Sequence, residues 1–274
     1  MKFSTTITNP NIIEKPLEVI LDALVDAGFD AIDVPGEPSS HPISKIKPIL
    51  DSYSDKIKIG ELTACINPTR DLINQDPVMR RKAIDYIKYC IEAAEELGCN
   101  LTHLCFITND DNLNNTPRAK LEARAIDAIK ECSSLAGDLG VKLMIEPLFK
   151  DDNTILNTAK QGVNLFAKAL DIDAGTFIQG DQFGLLLDIF HMHHEEKDLL
   201  KTLGKYATIM FHGHVADHPR GLDFTRDDSI FVKKAIRRLD AIGYKSLVSF
   251  ESFDPSVTLE ALKDSLSTIK SFLN

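Results

Sequence analysis

Four chemically reactive side chains lie in or at the end of apolar stretches in the second half of the chain. Glu146 ends the run VKLMIE, Asp188 ends GLLLD, and Glu251 ends SLVSFE. His214 lies in a further run, TIMFHGH. In chain order they are separated by 42, 26 and 37 residues, and each spacing suits one strand followed by one helix. The pattern predicts that four successive strands bring Glu, Asp, His and Glu to one place.

Three carboxylates at one place repel each other, and each is costly in an apolar setting unless something neutralises it. The same strand ends contain no Lys or Arg that could pair with all three. Three carboxylates and one imidazole suit Mn²⁺, Mg²⁺ or Co²⁺, whereas Zn²⁺ prefers more nitrogen and sulfur ligands. We therefore predict a site for one divalent metal ion, with Mn²⁺ as the first choice. Its predicted ligands are Glu146, Asp188, His214 and Glu251.

Other histidines near these strand ends have less distinctive settings. His212 precedes His214 by two residues and therefore shares its face of the strand, so it is predicted to be a hydrogen-bonded core or supporting histidine. His103 lies in the middle of a strand and is predicted to be a core group with satisfied hydrogen bonds. His193 and His194 begin a helix beside two glutamates and are expected to be solvated.

The elements that must hold these residues follow a repeated pattern. An amphipathic helix ends in an apolar residue and glycine, and an apolar strand follows at once. The glycines of this pattern are Gly28, Gly98, Gly140 and Gly243. Strands are predicted near 2–7, 30–34, 57–64, 101–106, 141–146, 184–189, 207–215 and 246–251. Helices are predicted to open at Asp76-Pro77, Thr116-Pro117 and Asp254-Pro255.

Continuous apolar strands between helices indicate a parallel sheet covered by helices. Eight strand–helix units of about 34 residues predict an α/β fold, a single (β/α)8 TIM barrel, as one domain over residues 1–274. A doubly wound sheet is the competitor, but it would normally have a glycine-rich phosphate loop after its first strand. Here that strand runs into TTITNPNII. In a barrel, chemistry occurs at the C-terminal ends of the strands.

Composition and charge argue against several classes of protein. The chain has 31 Lys and Arg against 41 Asp and Glu, and no block of five basic residues, which argues against a nucleic-acid partner. No apolar run approaches the ~20 residues that cross a membrane, and MKFSTTITNP lacks the long apolar core of a secretory signal. Five cysteines without a CxxC pair are expected to be reduced thiols. We therefore expect a cytoplasmic protein with no membrane partner.

Longer motifs around these residues resemble one protein family. The motifs are IEPL with Glu146, LLLDIFHMHHEE with Asp188 and His191, FHGHVADHPRG with His214 and Arg220, and FESF with Glu251. The sequence resembles the xylose-isomerase-like barrels of the sugar phosphate isomerase/epimerase superfamily. Within it, the sequence is most similar to the D-tagatose 3-epimerase/D-psicose 3-epimerase group. The resemblance covers almost the whole chain.

The resemblance implies a role for each residue. The four predicted metal ligands keep that role, and Glu146 and Glu251 would also be the catalytic acid/base pair. His191 and Arg220 would bind substrate oxygens near the carbonyl. Asp152 would contact the substrate at a position where the group has glutamate. The implied reaction is C3 epimerisation of a ketose through a metal-stabilised cis-enediolate. Similar epimerases form dimers or tetramers, so a homo-oligomer is expected.

The walls of the expected pocket are less defined by the sequence. Candidate wall residues are Thr6, Glu37, Cys65, Phe106 and the loop 107–116. No cluster of Lys or Arg near the strand ends indicates a phosphate group on the substrate. A free sugar is therefore expected.

Three other functions stay open on the same barrel. An isomerase acting on hydroxypyruvate, an inosose or another small keto-polyol would use the same residue types. A non-catalytic sugar-binding barrel would not need the metal-binding and proton-transfer residues that this chain has. An abasic-site endonuclease would need more histidines after strands two to four, and strand three ends LTAC with none. The acidic net charge also disfavours DNA.

Overall fold

The computed structural model describes residues 1–177 and 181–273, and in these ranges eight parallel strands form one ring-like sheet. The strands are β1 (Lys2–Thr5), β2 (Ala31–Pro35), β3 (Lys58–Thr63), β4 (Leu101–Leu104), β5 (Lys142–Ile145), β6 (Phe183–Asp188), β7 (Met210–Val215) and β8 (Leu247–Phe250). From β2 to β8 each strand pairs with the next one in the chain, and β8 pairs with β1. One parallel bridge, Thr6 to Asp33, joins β1 to β2. The predicted α/β TIM barrel is confirmed.

The strands differ from the prediction mainly at their ends. β7 begins at Met210, because residues 207–209 form the turn that follows a helix. Glu146 and Glu251 each lie one residue beyond a strand. Their backbone N–H groups still continue the sheet, since Glu146 N donates to the Leu104 carbonyl at 3.0 Å and Glu251 N to the Val215 carbonyl at 3.1 Å. The sheet therefore fixes the backbone of both acids.

Helices cover the outside of the barrel. They are α1 (Leu17–Ala27), α2 (Ile43–Ser52), α3 (Pro77–Glu96), α4 (Asp110–Asn115), α5 (Arg118–Leu139), α6 (Ala159–Leu170), α7 (Ala174–Phe177), α8 (Ile189–Glu195), α9 (Leu199–Tyr206), α10 (Ile230–Ala241) and α11 (Leu259–Ser271). The predicted opening of α3 is confirmed, because Asp76 accepts a hydrogen bond from the Val78 N–H at 2.8 Å and Pro77 occupies the first turn. Among the described residues, no helix combines the length and apolarity needed to span a membrane.

The last helix begins later than predicted. Thr258 caps α11 by accepting from the Ala261 N–H at 3.1 Å. Asp254 instead accepts from the Ser256 N–H at 2.8 Å and holds a turn. Asp254 and Thr258 each cap a turn, but only Thr258 directly precedes α11 and its row of buried residues. The Asp-Pro prediction was therefore wrong by one short turn.

The glycine-ended helices stop as predicted. Gly28 after α1 and Gly140 after α5 have φ values of 85° and 66°, in the left-handed region. A Cβ at Gly140 would meet no atom within 4 Å. Backbone conformation, rather than lack of space, therefore favours glycine at this helix end.

The interior of the ring changes from apolar to polar along the strands. Leu101, Met144 and Leu186 form a small buried apolar layer inside it. Because side chains alternate along a strand, Glu146 lies on the same face of β5 as Met144, and Asp188 on the same face of β6 as Leu186. Both acids therefore point into the barrel, at the end where each strand finishes.

Candidate active site

The four predicted metal ligands meet at the C-terminal ends of the strands, and we call them the outer cluster. The outer cluster consists of Glu146, Asp188, His214 and Glu251. One donor atom from each lies within 4.8 Å of the others. Strand register accounts for part of this, since Asp188 pairs directly with His214 between β6 and β7. His214 Nδ1 is 3.4 Å from Glu251 Oε2 and 3.8 Å from Glu146 Oε1.

Three atoms of the outer cluster lack a hydrogen-bond partner within the described part of the chain, namely Glu146 Oε1 and both ring nitrogens of His214. Of these, Glu146 Oε1 and His214 Nδ1 face each other at 3.8 Å. A buried polar atom without a partner costs roughly 1–3 kcal/mol, so these atoms indicate a group that is still to be bound. Three carboxylate oxygens and one imidazole nitrogen suit a divalent cation. The outer cluster can therefore hold a metal ion.

Arg220 reaches the outer cluster from the loop after β7. Its guanidinium donates to Asp188 Oδ2 and, at 2.7 Å, to Glu251 Oε2. Glu146 makes its close ionic contacts with His103 and His214, and no described Lys or Arg pairs with it. The sequence-based expectation that no basic residue pairs with all three acids therefore holds, although one arginine pairs with two. Two carboxylates of the outer cluster thus already bind one positively charged group.

The loop after β7 holds Arg220 in an uncommon backbone conformation. Its φ is 102°, which few residues other than glycine adopt. Arg220 N donates to the Asp217 carbonyl at 2.7 Å, and Ser252 Oγ donates to the Arg220 carbonyl at 2.6 Å. The buried Asp217 carboxylate also accepts from the Asp223 N–H at 2.9 Å. These bonds from both sides keep the guanidinium over Asp188 and Glu251.

His191 is held in one protonation state at the same place. The Phe149 N–H donates to its Nδ1 at 3.1 Å, whereas the Arg220 Nη2 donor is 3.4 Å from Nε2, so the shorter bond favours the neutral ring with its proton on Nε2. Burial lowers the pKa of His191 to about 4, although the charge of Asp188 opposes that shift, so the ring is neutral at pH 7. Nε2 lies 3.5 Å from Asp188 Oδ2. His191 thus offers one N–H donor at the edge of the outer cluster.

The two glutamates of the outer cluster differ in electrostatic setting. Burial raises the pKa of Glu146 to about 8, and the charge of Glu251 adds to this while His103 opposes it. Burial acts on Glu251 in the same direction, but His214 and Arg220 overcome it and hold the pKa of that carboxyl well below its usual range. At neutral pH and without a bound cation, Glu146 is protonated and Glu251 is ionised.

A cavity of about 590 Å³ opens over the outer cluster. Its polar lining includes Glu146, Glu251, His191, Arg220 and Asp152. Asp152 lies at the rim, partly exposed, with Oδ2 3.5 Å from His191 Nδ1. The structure therefore brings all of the sequence-predicted site residues to one cavity or directly beneath it.

The predicted cavity walls are found only in part. Glu37 and Cys65 line the cavity, together with Ile107 from the predicted loop. Thr6 and Phe106 are buried elsewhere and are not in the described lining. Apolar residues form much of the remaining wall, namely Ile13, Ala64, Ile66, Leu148, Phe149, Phe190 and Phe253. Which side of a loop faces the cavity depends on the loop's path, which composition does not reveal.

A second buried polar group lies deeper in the barrel, and we call it the inner cluster. The inner cluster consists of Asp33, Glu61, His212 and the shared His214, whose donor atoms also lie within 4.8 Å of one another. The prediction of a hydrogen-bonded core histidine at 212 is confirmed, because its Nε2 is 3.0 Å from Asp33 Oδ2. Asp33 and Glu61 were not among the predicted site residues, because they lie inside strands rather than at their ends.

His103 differs from its prediction as a satisfied core group. It is buried, but Nδ1 has no hydrogen-bond partner among the described residues and the ring lines the cavity. Nε2 is 3.8 Å from Glu146 Oε2, and Nδ1 is 3.5 Å from Glu61 Oε1. His103 therefore connects the two clusters. His193 and His194 are exposed, as predicted, but they lie in the last turn of α8 rather than at the start of a helix.

The sequence of the chain matches one known protein family. The model of the xylose isomerase-like TIM barrel family matches residues 21–272. The chain belongs to the xylose isomerase-like TIM barrel family. The chain is 30% identical to a probable ketose 3-epimerase of Synechocystis sp., and the match covers 83% of the chain and 75% of that relative. It is 23% identical to a ketose 3-epimerase of Arthrobacter globiformis, over 85% and 76% of the two chains.

Solved structures show the same fold for this xylose isomerase-like barrel. A D-psicose 3-epimerase from Clostridium cellulolyticum aligns over the whole of both chains with a TM-score of 0.80. The two sequences are 18% identical, so the likeness concerns the fold. The resemblance predicted from the motifs around the strand ends is confirmed by the family match and by these relatives.

Proposed function

We propose that this protein is a divalent-metal-dependent ketose 3-epimerase that inverts C3 of a free ketose. Its similarity to ketose 3-epimerases makes it an enzyme of the isomerase class. The observation that carries the finer proposal is the pairing of Glu146 and Glu251 in one buried cluster. They follow β5 and β8, which are three strands apart in the ring, so they approach the cavity from different walls. Epimerisation needs one proton-transfer group on each face of the reacting carbon.

The outer cluster is the proposed metal site. Its carboxylates and His214 would hold one divalent ion, with Mn²⁺ first and Mg²⁺ or Co²⁺ as alternatives. When bound, the ion supplies positive charge where negative charge develops on the substrate oxygens. The unpaired atoms Glu146 Oε1 and His214 Nδ1 support this assignment. A carboxylate-rich set with one nitrogen favours these ions over zinc.

The two glutamates are the proposed acid and base. One carboxylate removes the C3 proton, and the electron pair of that C–H bond moves toward the C2 carbonyl and leaves an enediolate. The carboxyl group on the other wall then delivers a proton to the opposite face of C3, which inverts it.

His191, Arg220 and Asp152 are the proposed substrate-binding residues. The Nε2–H of neutral His191 can donate to an oxygen beside the reacting carbon without adding a charge. The Arg220 guanidinium offers a fork of donors in a fixed direction because its loop is bonded on both sides. Asp152, at the rim, can accept hydrogen bonds from hydroxyl groups further along the sugar.

The cavity lining supports an unphosphorylated substrate. Among the described lining residues, Arg220 is the only Lys or Arg, and it already bonds two carboxylates. A phosphate group carries up to two negative charges and is usually met by several basic groups or by backbone N–H groups at a helix N-terminus. A neutral polyol suits a wall that combines a few polar groups with apolar side chains.

The proposed reaction can be tested by isotope exchange. The Mn²⁺-loaded protein is incubated in D₂O with D-fructose, D-tagatose, D-psicose and L-ribulose in turn, and the products are analysed by NMR. We expect a C3 epimer with deuterium at C3 from at least one sugar. Deuterium at C1 or C2 with an aldose product would instead indicate an aldose–ketose isomerase. The absence of exchange with any ketose, hydroxypyruvate or inosose would favour a non-catalytic sugar-binding barrel.

We also propose a cytoplasmic location and a homo-oligomer, either a dimer or a tetramer. The location is supported by the cysteines, all five of which are free thiols, three of them buried. The oligomer rests on the resemblance to the 3-epimerase group. Light scattering coupled to size-exclusion chromatography tests it, since a mass near 30.4 kDa would contradict it.

A further inference from the structure

Glu61 lies behind the metal-facing histidine of the outer cluster. Its carboxylate is fully buried, and Oε1 is 3.4 Å from His214 Nε2. The opposite ring nitrogen, His214 Nδ1, faces Glu146 and Glu251. The imidazole therefore stands between a carboxylate on β3 and the carboxylates of the outer cluster. Nδ1 therefore faces the outer cluster, and Nε2 faces Glu61.

A histidine binds a metal through a ring nitrogen that carries no proton, so the remaining proton must be on the other nitrogen. A carboxylate that accepts this second N–H fixes the tautomer and the ring orientation, and makes the coordinating nitrogen more basic. In this chain the coordinating nitrogen would be Nδ1 and the protonated one Nε2. Glu61 Oε1 is the carboxylate oxygen that faces Nε2, at 3.4 Å, and Nε2 has no hydrogen-bond partner among the described residues, so this is the position where such an acceptor is needed.

We propose that Glu61 is a positioning residue that holds His214 in the tautomer with Nδ1 free for a divalent cation. The inference rests on the proposed metal site. Thr63 Oγ1 donates to the same oxygen of Glu61 at 3.1 Å, which fixes the carboxylate. His103 Nδ1 lies 3.5 Å from that oxygen as well, without forming a hydrogen bond.

The inner cluster could alternatively hold a second metal ion, but its contacts favour hydrogen bonding. Asp33 Oδ2 already bonds Ser4 Oγ and His212 Nε2, each at 3.0 Å, and Oδ1 accepts from the Glu61 N–H at 3.2 Å. Each of its two carboxylates faces an imidazole nitrogen, at 3.0 Å for Asp33 and His212 and at 3.4 Å for Glu61 and His214, while Glu61 Oε2 and His212 Nδ1 stay unpaired among the described residues. Asp33 and Glu61 also line none of the described cavities, whereas the outer cluster does.

Metal affinity tests the proposal without reference to activity. Metal-free wild type, Glu61→Gln and Asp33→Asn are titrated with Mn²⁺, and free Mn²⁺ is measured by electron paramagnetic resonance. We expect one site per chain and a 10- to 100-fold weaker Kd for Glu61→Gln, about the loss seen when such supporting carboxylates are removed. Asp33→Asn is the matched control, because it neutralises the other inner carboxylate, whose hydrogen bonds go to His212 and to the backbone of Glu61 rather than to His214. Its Kd should stay close to that of wild type.

Each outcome of the titration has a distinct meaning. Equal affinity of wild type and Glu61→Gln overturns the role of Glu61 and leaves the proposed metal site intact. Equal losses in both variants show a general effect of buried charge and also overturn it. A second bound equivalent that disappears in Asp33→Asn assigns the inner cluster to a metal instead. If wild type binds no Mn²⁺, the proposed metal site and the proposed function are wrong, whatever the result for Glu61→Gln.

A spectroscopic measurement covers the case in which Glu61→Gln does not fold. In ¹⁵N-histidine-labelled wild type loaded with diamagnetic Mg²⁺, long-range ¹H–¹⁵N spectra report which ring nitrogen carries the proton, and Asp33→Asn serves as the spectral control. We expect His214 to carry it on Nε2, with a downfield N–H resonance typical of a bond to carboxylate. Because a cation on Nδ1 by itself fixes the proton on Nε2, the deciding readout is the N–H resonance, and a resonance without the downfield shift would overturn the role of Glu61.

Discussion

The outer and inner clusters share His214 inside one barrel, yet their surroundings differ. The outer cluster joins three carboxylates to one imidazole and opens on a cavity of about 590 Å³. The inner cluster joins two carboxylates to two imidazoles, and neither of its acids lines a described cavity, although His212 borders a separate cavity of about 280 Å³. Three carboxylates against one imidazole beside an open cavity call for a cation, whereas in the inner cluster Asp33 already has three hydrogen bonds and Glu61 keeps one unpaired oxygen. Hydrogen-bond satisfaction and access to the main cavity, rather than residue type, therefore separate a candidate site from a supporting network.

Removal of metal should produce the largest effect, because only the outer cluster depends on an external cation. Treatment with a chelator is expected to abolish turnover of the true substrate, and added Mn²⁺ should restore it. Metal analysis of the reloaded protein should find one equivalent per chain. An undiminished rate in a preparation verified as metal-free would contradict the metal dependence. Two equivalents would mean that the contrast between the clusters is wrong.

Removal of either proposed proton-transfer group should produce the next largest effect. Glu146→Gln and Glu251→Gln are each expected to lower kcat on the order of 10²-fold or more, the usual range for a positioned acid or base. Asp33→Asn makes the same chemical change at a buried carboxylate of the inner cluster and should cost much less. Steady-state kinetics on the sugar identified by isotope exchange measure this. Near-normal turnover of either glutamine variant would remove that residue from the acid/base pair.

The outer cluster could be predicted because its acids end apolar runs. A carboxylate such as Glu146 or Asp188 at the end of an apolar strand is conspicuous in the sequence, and the barrel rule says where strand ends meet. The repeated helix–glycine–strand pattern predicted the fold for a similar reason, since each unit carries its own local signals. The residue types at these positions were therefore enough to predict a metal site without knowledge of distances.

The inner cluster and the position of the Arg220 guanidinium over the outer cluster could not be predicted in the same way. Asp33 and Glu61 interrupt β2 and β3, and which residues face them is set by closure of the ring, which brings β2 and β3 opposite β7. The reach of Arg220 to both Asp188 and Glu251 depends on a left-handed backbone in its loop. These are long-range features, and spacing along the chain does not encode them directly.

Replacement of Arg220 should separate metal binding from turnover. In Arg220→Met, Asp188 and Glu251 no longer bond a guanidinium, so Mn²⁺ is expected to bind at least as tightly as to wild type. The value of kcat/KM should fall roughly 10- to 100-fold, because a hydrogen bond from a charged group contributes about 1.5–3 kcal/mol. Arg226→Met is the matched control, since this exposed arginine of the same loop pairs with Asp228. Weaker Mn²⁺ binding by Arg220→Met would show that the guanidinium helps to build the metal site.

Replacement of Asp217, in the loop that positions Arg220, should produce the smallest effect. Burial raises its pKa to about 6, and the Oδ1 atom has no hydrogen-bond partner among the described residues. A carboxyl whose folded pKa is raised stabilises the fold below its unfolded pKa of about 4 and loses that contribution as pH rises through 6. Asp217→Asn lacks this loss, so its free energy of unfolding should improve relative to wild type by ~1–2 kcal/mol between pH 4 and pH 7.

Urea unfolding of the metal-free proteins at several pH values measures the difference for Asp217. Asp223→Asn is the control with the opposite sign, because hydrogen bonds from Thr225 hold the pKa of this exposed carboxyl below its usual range. That variant should lose stability relative to wild type as pH rises to about 4, the ordinary pKa of the carboxyl, and the difference should then stay constant between pH 4 and pH 7. If the two variants show the same trend, the pH dependence comes from net charge rather than from burial of Asp217. The loop would then owe its shape to the backbone bonds of Arg220 and Ser252 rather than to this carboxyl.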